Sequence, residues 1–507
     1  MRVFVKGLQQ HKRLYNTATL TSRRYGQPTS MTHPHLLKRG ELTPGISAIE
    51  YELRRTRLMR SLPYNSVAVS LGYRTRYMSN KVFYLFHQNT DFFYLSGFNE
   101  PDAAMILEKN DSPRGYKMTM FVLPKNPDDE MWDGTRTGVQ GAIDIFGADE
   151  AIESTKFISK LREILQPYKK VYIDLPPKTS ILSPDAVQKI FRTHGIPIFP
   201  SFFASRLKTL REQFYPLISH YGMSCFIGKF PFLHKVKEFK PLSRIIQQLR
   251  IIKSEAELRL MREAGEITGK AFIETMKFTK PEMTEHHLHA KLDYECRMRG
   301  AEFLGYVPVI ASGVNALTLH YVNNDMPLRY GDLVLVDAGC EYHGYVSDVT
   351  RTWPINGKFS LPQRELYEAV LKVNKSCIKL CTEQQNISLN GIHDVSVRLM
   401  KEELTNLGFN INEGEVDRVL YPHHVGHYLG LDVHDTHELD RSRRLKAGMV
   451  VTIEPGLYIP NLTSYPKQYH GIGIRIEDNV LIGEKDPVVL SVTAPKEIVD
   501  IEYCMSS

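Results

Sequence analysis

The run Leu333–Trp353, LVLVDAGCEYHGYVSDVTRTW, constrains the fold of this chain more than any other stretch. Two short apolar segments, Leu333–Val336 and Tyr345–Val349, each deliver a carboxylate. Asp337 ends the first and Asp348 lies within the second. β-Branched and aromatic side chains mark both segments as strands, and the Gly-containing stretch between them suits a hairpin. A strand end in an apolar sheet is a costly place for an unpaired carboxylate. Each acid therefore needs a turn role, an ion-pair partner or a cation. Taken singly, an Asp beside a strand is more often a turn residue or half of an ion pair.

The downstream sequence changes that balance. His427 lies in His423-His424-Val425-Gly426-His427-Tyr428-Leu429-Gly430-Leu431-Asp432-Val433-His434-Asp435. Glu454 ends the apolar run Met449–Ile453 and precedes Pro455-Gly456, which places it at a strand terminus. Glu477 falls in Gly471-Ile472-Gly473-Ile474-Arg475-Ile476-Glu477-Asp478, a strand by its alternation, with Arg475 on the same face. That guanidinium is placed to steady Glu477 or to meet a substrate. Four carboxylates cannot converge as bare anions, because each raises the pKa of the others. Two divalent cations remove the penalty, so Asp337, Asp348, His427, Glu454 and Glu477 fit one dinuclear site. Its oxygen-rich donor set favours Mn²⁺ or a similar ion over a thiolate-type zinc site. Two cations a few ångströms apart acidify a water, which is hydrolytic chemistry on a carbonyl. A zincin pair is excluded, since no Glu separates the histidines as H-E-x-x-H requires and Gly426 and Gly430 oppose a regular helix.

At 507 residues and 42% hydrophobic content the chain can bury substantial cores, and its length suggests two or three domains. It contains no run of 18 apolar residues, so membrane insertion is not expected. The net charge of +7 is concentrated at the start, where residues 1–40 hold eight Lys or Arg and no acid. The remainder is near neutral, and nucleic-acid binding by bulk charge has no support. Six cysteines in a chain this long make no disulfide framework, and Cys377 and Cys381 read as ordinary helix residues in a reducing compartment.

In chain order, residues 1–25 read as a mitochondrial presequence: amphipathic, basic and free of acids. Arg23-Arg24-Tyr25 resembles an arginine-guided cleavage site, and Met31 offers a second start that yields a cytosolic form. Residues 26–47 read as an extended arm. A first α/β domain with a mixed sheet is expected over 48–241. Its strands include Ser66–Ser70, Phe92–Leu95, Met105–Leu107, Met118–Leu123 and Val171–Ile173, and its helices Glu50–Leu62, Ser154–Leu165 and Pro184–Thr193. Ser254-Glu255-Ala256-Glu257 has the form of a capping box and opens a helix to Met276. Another helix follows Pro281 and ends near Arg299, within a second domain spanning 242–500.

The residues around Asp337 and Asp348, the His423–Asp435 segment, Glu454-Pro455-Gly456-Leu457-Tyr458 and Gly473–Asp478 together resemble the signature of aminopeptidase P, the X-prolyl aminopeptidases. The aromatic stretch ending Gly97-Phe98-Asn99-Glu100-Pro101 is similar to that family's N-terminal domain. The basic leader and Thr32-His33-Pro34-His35-Leu36-Leu37 point to its mitochondrial branch. The resemblance implies a C-terminal "pita-bread" metallopeptidase domain, two Mn²⁺ per subunit and a homodimer acting on peptide or protein N-termini. It implies that Asp337 holds one metal, that Asp348 and Glu477 bridge, and that His427 and Glu454 complete the second. Glu454 also shuttles a proton, His434 stabilises the tetrahedral intermediate, and His423 and His320 line the substrate site. Arg475 organises Glu477 and the substrate, with Tyr458 nearby. Asp91, Trp132 and the N-terminal domain are implied to shape the far side of the substrate cleft, across a subunit boundary.

The leading expectation is release of one N-terminal residue, typically ahead of proline. General trimming of one residue from imported mitochondrial proteins is an alternative that the sequence does not rank against it. A prolidase acting on dipeptides shares the ligand set. Loss of ligands would mark a catalytically dead binding domain or a metal-free creatinase-like hydrolase, and all five ligands are kept.

Overall fold

Apolar runs spaced by helical patterns in the first half of the chain close into one mixed sheet, in a computed structural model that describes residues 25–174 and 238–506. The expected helix Pro184–Thr193 and all of the basic leader but Tyr25 lie outside the described residues. The chain divides into two compact units, Met1–Ile246 and Gln247–Ser507.

In the first unit, β1 (Glu41–Thr43) and β2 (Ile46–Ser47) pair within the stretch read as an arm. Leu37, Leu42 and Ile46 are buried there, and the Gln27 amide donates to the Gly97 carbonyl at 3.0 Å. Helix α1 (Ala48–Ser61) starts where the Ser47 side chain accepts from Glu50 N. There follow β3 (Ser66–Leu71), β4 (Tyr77–Ser79), β5 (Val82–Phe83), α2 (Thr90–Ser96), β6 (Ala104–Lys109) and β7 (Tyr116–Val122). Helices α3 (Pro127–Asp133) and α4 (Gly138–Asp144) lead to β8 (Glu150–Glu153), α5 (Phe157–Leu165), β9 (Lys170–Ile173) and β10 (Glu238–Lys240). The six-stranded sheet runs β10-β9-β3-β6-β7-β8, with β3 parallel to β9 and antiparallel to β6. The helix expected from Ser154 begins as a 3₁₀ turn over Ser154–Lys156.

One expected strand is a helix. Phe92–Leu95 forms α2, because the Asn89 side chain caps it by accepting from Phe92 N at 2.9 Å, and Gly97 ends it at φ +66°. Burial of Phe92, Tyr94 and Leu95 is as expected for that stretch. The aromatic density reflects a buried helix face rather than a pleat.

Helix α6 (Ser243–Arg250) carries the chain into the second unit, where α7 (Glu255–Phe278) opens on the capping box. Ser254 Oγ accepts from Glu257 N at 3.3 Å, and Glu257 Oε2 accepts from Ser254 N at 2.8 Å. Next come α8 (Glu285–Met298), β11 (Phe303–Leu304) and β12 (Val309–Ser312). The run from Leu333 to Trp353 forms β13 (Leu333–Ala338), β14 (Cys340–Tyr342), β15 (Tyr345–Val346) and most of β16 (Val349–Pro354). His343 (φ +51°) and Gly344 (φ +88°) make the two-residue turn whose twist matches the flanking strands. Register is the same on both sides of a break, with Ala338 opposite Val349 and Glu341 opposite Val346.

Helices α9 (Leu361–Ile378) and α10 (Leu389–Asn406) precede a second hairpin of β17 (Val450–Ile453), β18 (Gly456–Tyr458), β19 (Gly473–Arg475) and β20 (Asp478–Leu481). Strand β21 (Val488–Val489) and α11 (Ile498–Ser506) end the unit. Trp353, Phe272, Tyr367, Val451, Ile453 and Ile476 are buried in one core that backs both hairpins, and the Trp353 indole donates to Thr279 Oγ1 at 3.1 Å. Each such side chain contributes about 1.5–3 kcal/mol by burial. No helix among the described residues is long and apolar enough to cross a membrane.

Candidate active site

The acids sit at interruptions of the two hairpins. Asp348 lies with Ser347 between β15 and β16, not inside a continuous strand, and it faces Gly339 across the ladder. A Cβ at Gly339 would stand 1.7 Å from the Ser347 carbonyl oxygen, so the two strands approach there as only glycine allows. Asp337 pairs with Thr350, two residues from Asp348, and strand period two puts Asp337, Asp348 and Thr350 on one face.

Glu477 likewise lies between β19 and β20 rather than within a strand. Ile453 pairs with Asp478 and Gly456 with Arg475, so Glu454 and Glu477 occupy the same interrupted rung. Their amides turn sideways: Glu477 N donates to Thr350 O at 3.1 Å, and Glu454 N to Val425 O at 2.8 Å. The histidine segment runs beside β17, with Thr452 N donating to His427 O at 2.9 Å. No regular helix forms there, in keeping with Gly426, where a Cβ would lie 2.0 Å from Thr452 O.

Side chains from these segments converge. Asp348, His427 and Glu477 each offer a ligand atom within 4.8 Å of the others. His427 Nε2 lies 3.3 Å from Asp348 Oδ2 and 3.7 Å from Glu454 Oε1. His427 Nδ1 donates to the Tyr428 carbonyl at 3.1 Å, which turns Nε2 toward the acids. Asp337 stands apart from that trio. Its Oδ2 accepts from Arg475 Nη2 at 2.6 Å and its Oδ1 from the Tyr306 hydroxyl at 2.7 Å.

Arg475 therefore pairs with Asp337, where the sequence suggested Glu477. It reaches Glu477 only through Thr350, whose Oγ1 accepts from Arg475 Nε at 3.2 Å and donates to Glu477 Oε2 at 2.7 Å. Arg475 Nη1 also donates to the Tyr458 hydroxyl at 2.7 Å, and that hydroxyl lies 2.9 Å from His423 Nε2. His423 Nδ1 donates to the His424 carbonyl at 3.0 Å and lies 3.7 Å from Glu454 Oε2. His434 packs edge-on to His427, ring centres 4.5 Å apart. His320 sits in an exposed turn after β12, near enough to His434 for its charge to be felt there.

Sequence reasoning missed Tyr306, whose hydroxyl touches Asp348 Oδ1 as well as Asp337. It stands alone in Gly305-Tyr306-Val307-Pro308, without a motif that marks it. A phenol has one hydrogen, so two carboxylate oxygens against it call for an extra proton or a cation nearby. Asn479 was also missed; it brackets Asp348 by accepting from its amide at 3.1 Å and donating to its carbonyl.

The electrostatics describe a cluster that lacks countercharge. Burial, then the charges of Asp348, Glu454 and Asp337, push Glu477 well above the ordinary carboxylate range. Burial raises Glu454 to about 7, against the pull of His427 and Arg475. Asp337 is raised by burial despite Arg475. Burial would also raise Asp348, but its contact with His427 prevails and holds it low, while His427 is held high against its own burial. Burial, with Arg475 adding to it, lowers His423 to about 3, and burial with His427 lowers His434. Glu477 Oε1 is buried with no hydrogen-bond partner among the described residues. An orphaned carboxylate oxygen beside an imidazole nitrogen and further acids is a donor set that fits a divalent cation, which takes the place of the proton that His427 otherwise holds.

Comparison with known proteins decides the family. Residues 51–172 match the aminopeptidase P N-terminal domain, and residues 259–484 match metallopeptidase family M24. Xaa-Pro aminopeptidase 3 of Rattus norvegicus is 40% identical over 503 residues, covering 96% of this chain and 92% of the relative. The chain belongs to the Xaa-Pro aminopeptidases of family M24. Intermediate cleaving peptidase 55, mitochondrial, of Arabidopsis thaliana is 39% identical over 490 residues, covering 97% of this chain and 89% of the relative. Zinc-substituted Escherichia coli aminopeptidase P in complex with product superposes with a TM-score of 0.78 at 32% identity, covering 91% of this chain and 98% of that one. This M24 member is a hydrolase, a metallo-aminopeptidase that depends on a divalent metal and acts on peptide N-termini. Its two parts are the aminopeptidase P N-terminal domain and the pita-bread catalytic domain.

Proposed function

We propose that Asp337, Asp348, His427, Glu454 and Glu477 hold two Mn²⁺ ions and that the site removes one N-terminal residue, typically ahead of proline. The observation that carries this reading is the convergence of Asp348, His427 and Glu477 with Glu477 Oε1 left unpartnered. Bound divalent cations supply an acidified water and polarise the scissile carbonyl. Glu454 takes a proton from the attacking water and delivers it to the leaving nitrogen. His434 donates its ring N–H toward the oxygen that gains charge. His423, His320 and Tyr458 line the substrate, and Arg475 fixes Tyr458 and Asp337 together.

The same reading assigns 1–25 as a mitochondrial presequence, 26–47 as an arm, 48–241 as the N-terminal domain and 242–500 as the catalytic domain. It makes the enzyme a homodimer and places it in mitochondria, the location in keeping with the name of the Arabidopsis relative.

The test incubates the chain lacking residues 1–25 with Mn²⁺ and paired peptides that differ only by Pro or Ala at position two. Mass spectrometry reads the products. Loss of one residue from the Pro peptide alone is the expected result. Loss from both replaces strict X-Pro cleavage with general trimming of imported proteins. Cleavage of neither peptide, with metal bound, overturns the proposal in favour of dipeptide substrates.

A further inference from the structure

The turn that carries His320 is long and costly to order, and one carboxylate clasps both of its limbs. Glu285, the first residue of α8, is fully buried. Its Oε1 accepts from Ser312 N at 2.8 Å, Ser312 Oγ at 2.8 Å and Asn315 Nδ2 at 2.9 Å, on the limb that leaves β12. Its Oε2 accepts from the Tyr321 hydroxyl at 2.8 Å and from Met326 N at 3.0 Å, on the limb that returns. Its own amide donates to the Met326 carbonyl at 2.9 Å. Between Asn315 and Tyr321 stand residues 316–320, with His320 next to Tyr321. The same limb continues into β12, whose Val309 pairs with Asp337, so the clasp and the acids share one sheet.

The five donors arrive from four residues, and an acceptor-only side chain with two oxygens is what they require. A carboxylate at the first turn of a helix is also favoured by the helix dipole. Neither catalysis nor metal binding accounts for this buried acid.

We propose that Glu285 is a positioning residue that sets the place of His320 in the substrate cleft by joining the two limbs of its loop. The inference rests on the reading that His320 lines the substrate site. Glu285→Gln keeps the shape but turns an NH₂ group toward one limb, where the backbone N–H of Ser312 or Met326 loses its acceptor. Tyr321→Phe deletes a single bond of the clasp and leaves Glu285 with its remaining donors, which secures a folded variant.

The experiment measures KM and kcat on an X-Pro peptide for Glu285→Gln, Tyr321→Phe, His320→Ala and the two pairwise combinations with His320→Ala. Metal stoichiometry and amide hydrogen exchange over 312–326 are read alongside. The expected result for Glu285→Gln is a KM raised about tenfold with kcat changed far less, full metal content and faster exchange in the loop. Tyr321→Phe shifts KM the same way by a smaller factor. Added to His320→Ala, neither raises KM further, because the clasp acts through that ring. If His320→Ala raises KM while Glu285→Gln and Tyr321→Phe leave it unchanged, the clasp proposal alone is overturned. Additive effects overturn the route through His320. If His320→Ala itself leaves KM unchanged, the reading of His320 falls and the proposal falls with it.

Discussion

Glu454 stands opposite Glu477 on a rung where the second hairpin's ladder is interrupted, between the pairs Ile453–Asp478 and Gly456–Arg475. The buried Glu477 carboxylate and the partly buried Glu454 carboxylate are brought to one rung because the main chain puts them there. The protein's folding free energy therefore holds the anions together, and a cation relieves the cost when it binds.

The metal-free protein should show this cost in its response to pH. Both Glu454 and Glu477 have folded pKa values above the unfolded value, so the folded state keeps protons that the unfolded chain has lost. Below about pH 4, where both states are protonated, the penalty is absent. It grows as pH rises toward 7. Buried histidines with lowered values, His423 and His434 among them, act in the opposite sense over the same range, so the test is a comparison. After chelation the wild-type Tm should fall relative to that of Glu477→Gln as pH rises through this window, and Mn²⁺ should restore more stability to the wild type at pH 7 than at pH 5. A Tm difference between the two that does not change with pH contradicts this account.

Asp348→Ala removes the acid shared by His427 and the neighbouring carboxylates. Titration calorimetry should find no stoichiometric Mn²⁺ binding, and peptide hydrolysis should be lost. Turnover with full metal content refutes the ligand assignment.

Tyr306→Phe deletes the hydroxyl that Asp337 and Asp348 share while leaving every proposed ligand in place. Loss of such an orienting group costs about 10–100-fold in metal affinity. Calorimetry on the folded variant measures it directly, and wild-type affinity would remove Tyr306 from the metal-binding apparatus.

Gly339→Ala drives a methyl group into the Ser347 carbonyl and must part the first hairpin beside Asp348. Overpacking of this kind costs about 1–3 kcal/mol or more. Urea unfolding should show that loss, together with weakened metal binding. An unchanged denaturation midpoint contradicts the close approach.

Arg250→Ala leaves the buried Asp435 carboxylate with Lys253 alone, at 2.9 Å, after losing its bond to the guanidinium. Breaking a buried pair from one side costs about 3–5 kcal/mol. Burial would raise Asp435, but Arg250 and Lys253 hold it below its ordinary value. That contribution is present above about pH 4 and is lost as pH falls through the lowered folded value. The deficit of the variant should therefore narrow in acid, as urea titrations at pH 3 and pH 7 can check.

Much of this was legible in the sequence because strand ends and acids coincide. The first hairpin, the capping box at Ser254 and the convergence of Asp348, His427 and Glu477 follow from apolar periodicity and from the cost of burying like charges. Phe92–Leu95 misled because aromatic density marks burial without choosing between helix and strand. Asn89 and Gly97, the residues that decide, lie outside the apolar run. Arg475 was read as steadying the carboxylate on its own strand face or meeting a substrate, yet its pairing depends on Thr350 and Asp337 of another hairpin. Tyr306, Asn479 and Glu285 act through Asp348 and Ser312, partners at least 27 residues away in sequence, and no local pattern records such an encounter.

The sideways amide bonds of Glu454 and Glu477 have a consequence for how the enzyme wears out. Through them the first hairpin, the second hairpin and the histidine segment form one hydrogen-bonded fabric, and no acid can slacken without tugging on the other two threads. Gradual erosion of the catalytic centre is then closed as a route to failure. On heating, activity should persist until the whole unit gives way, so that the half-life of inactivation and the half-life of global unfolding are one number.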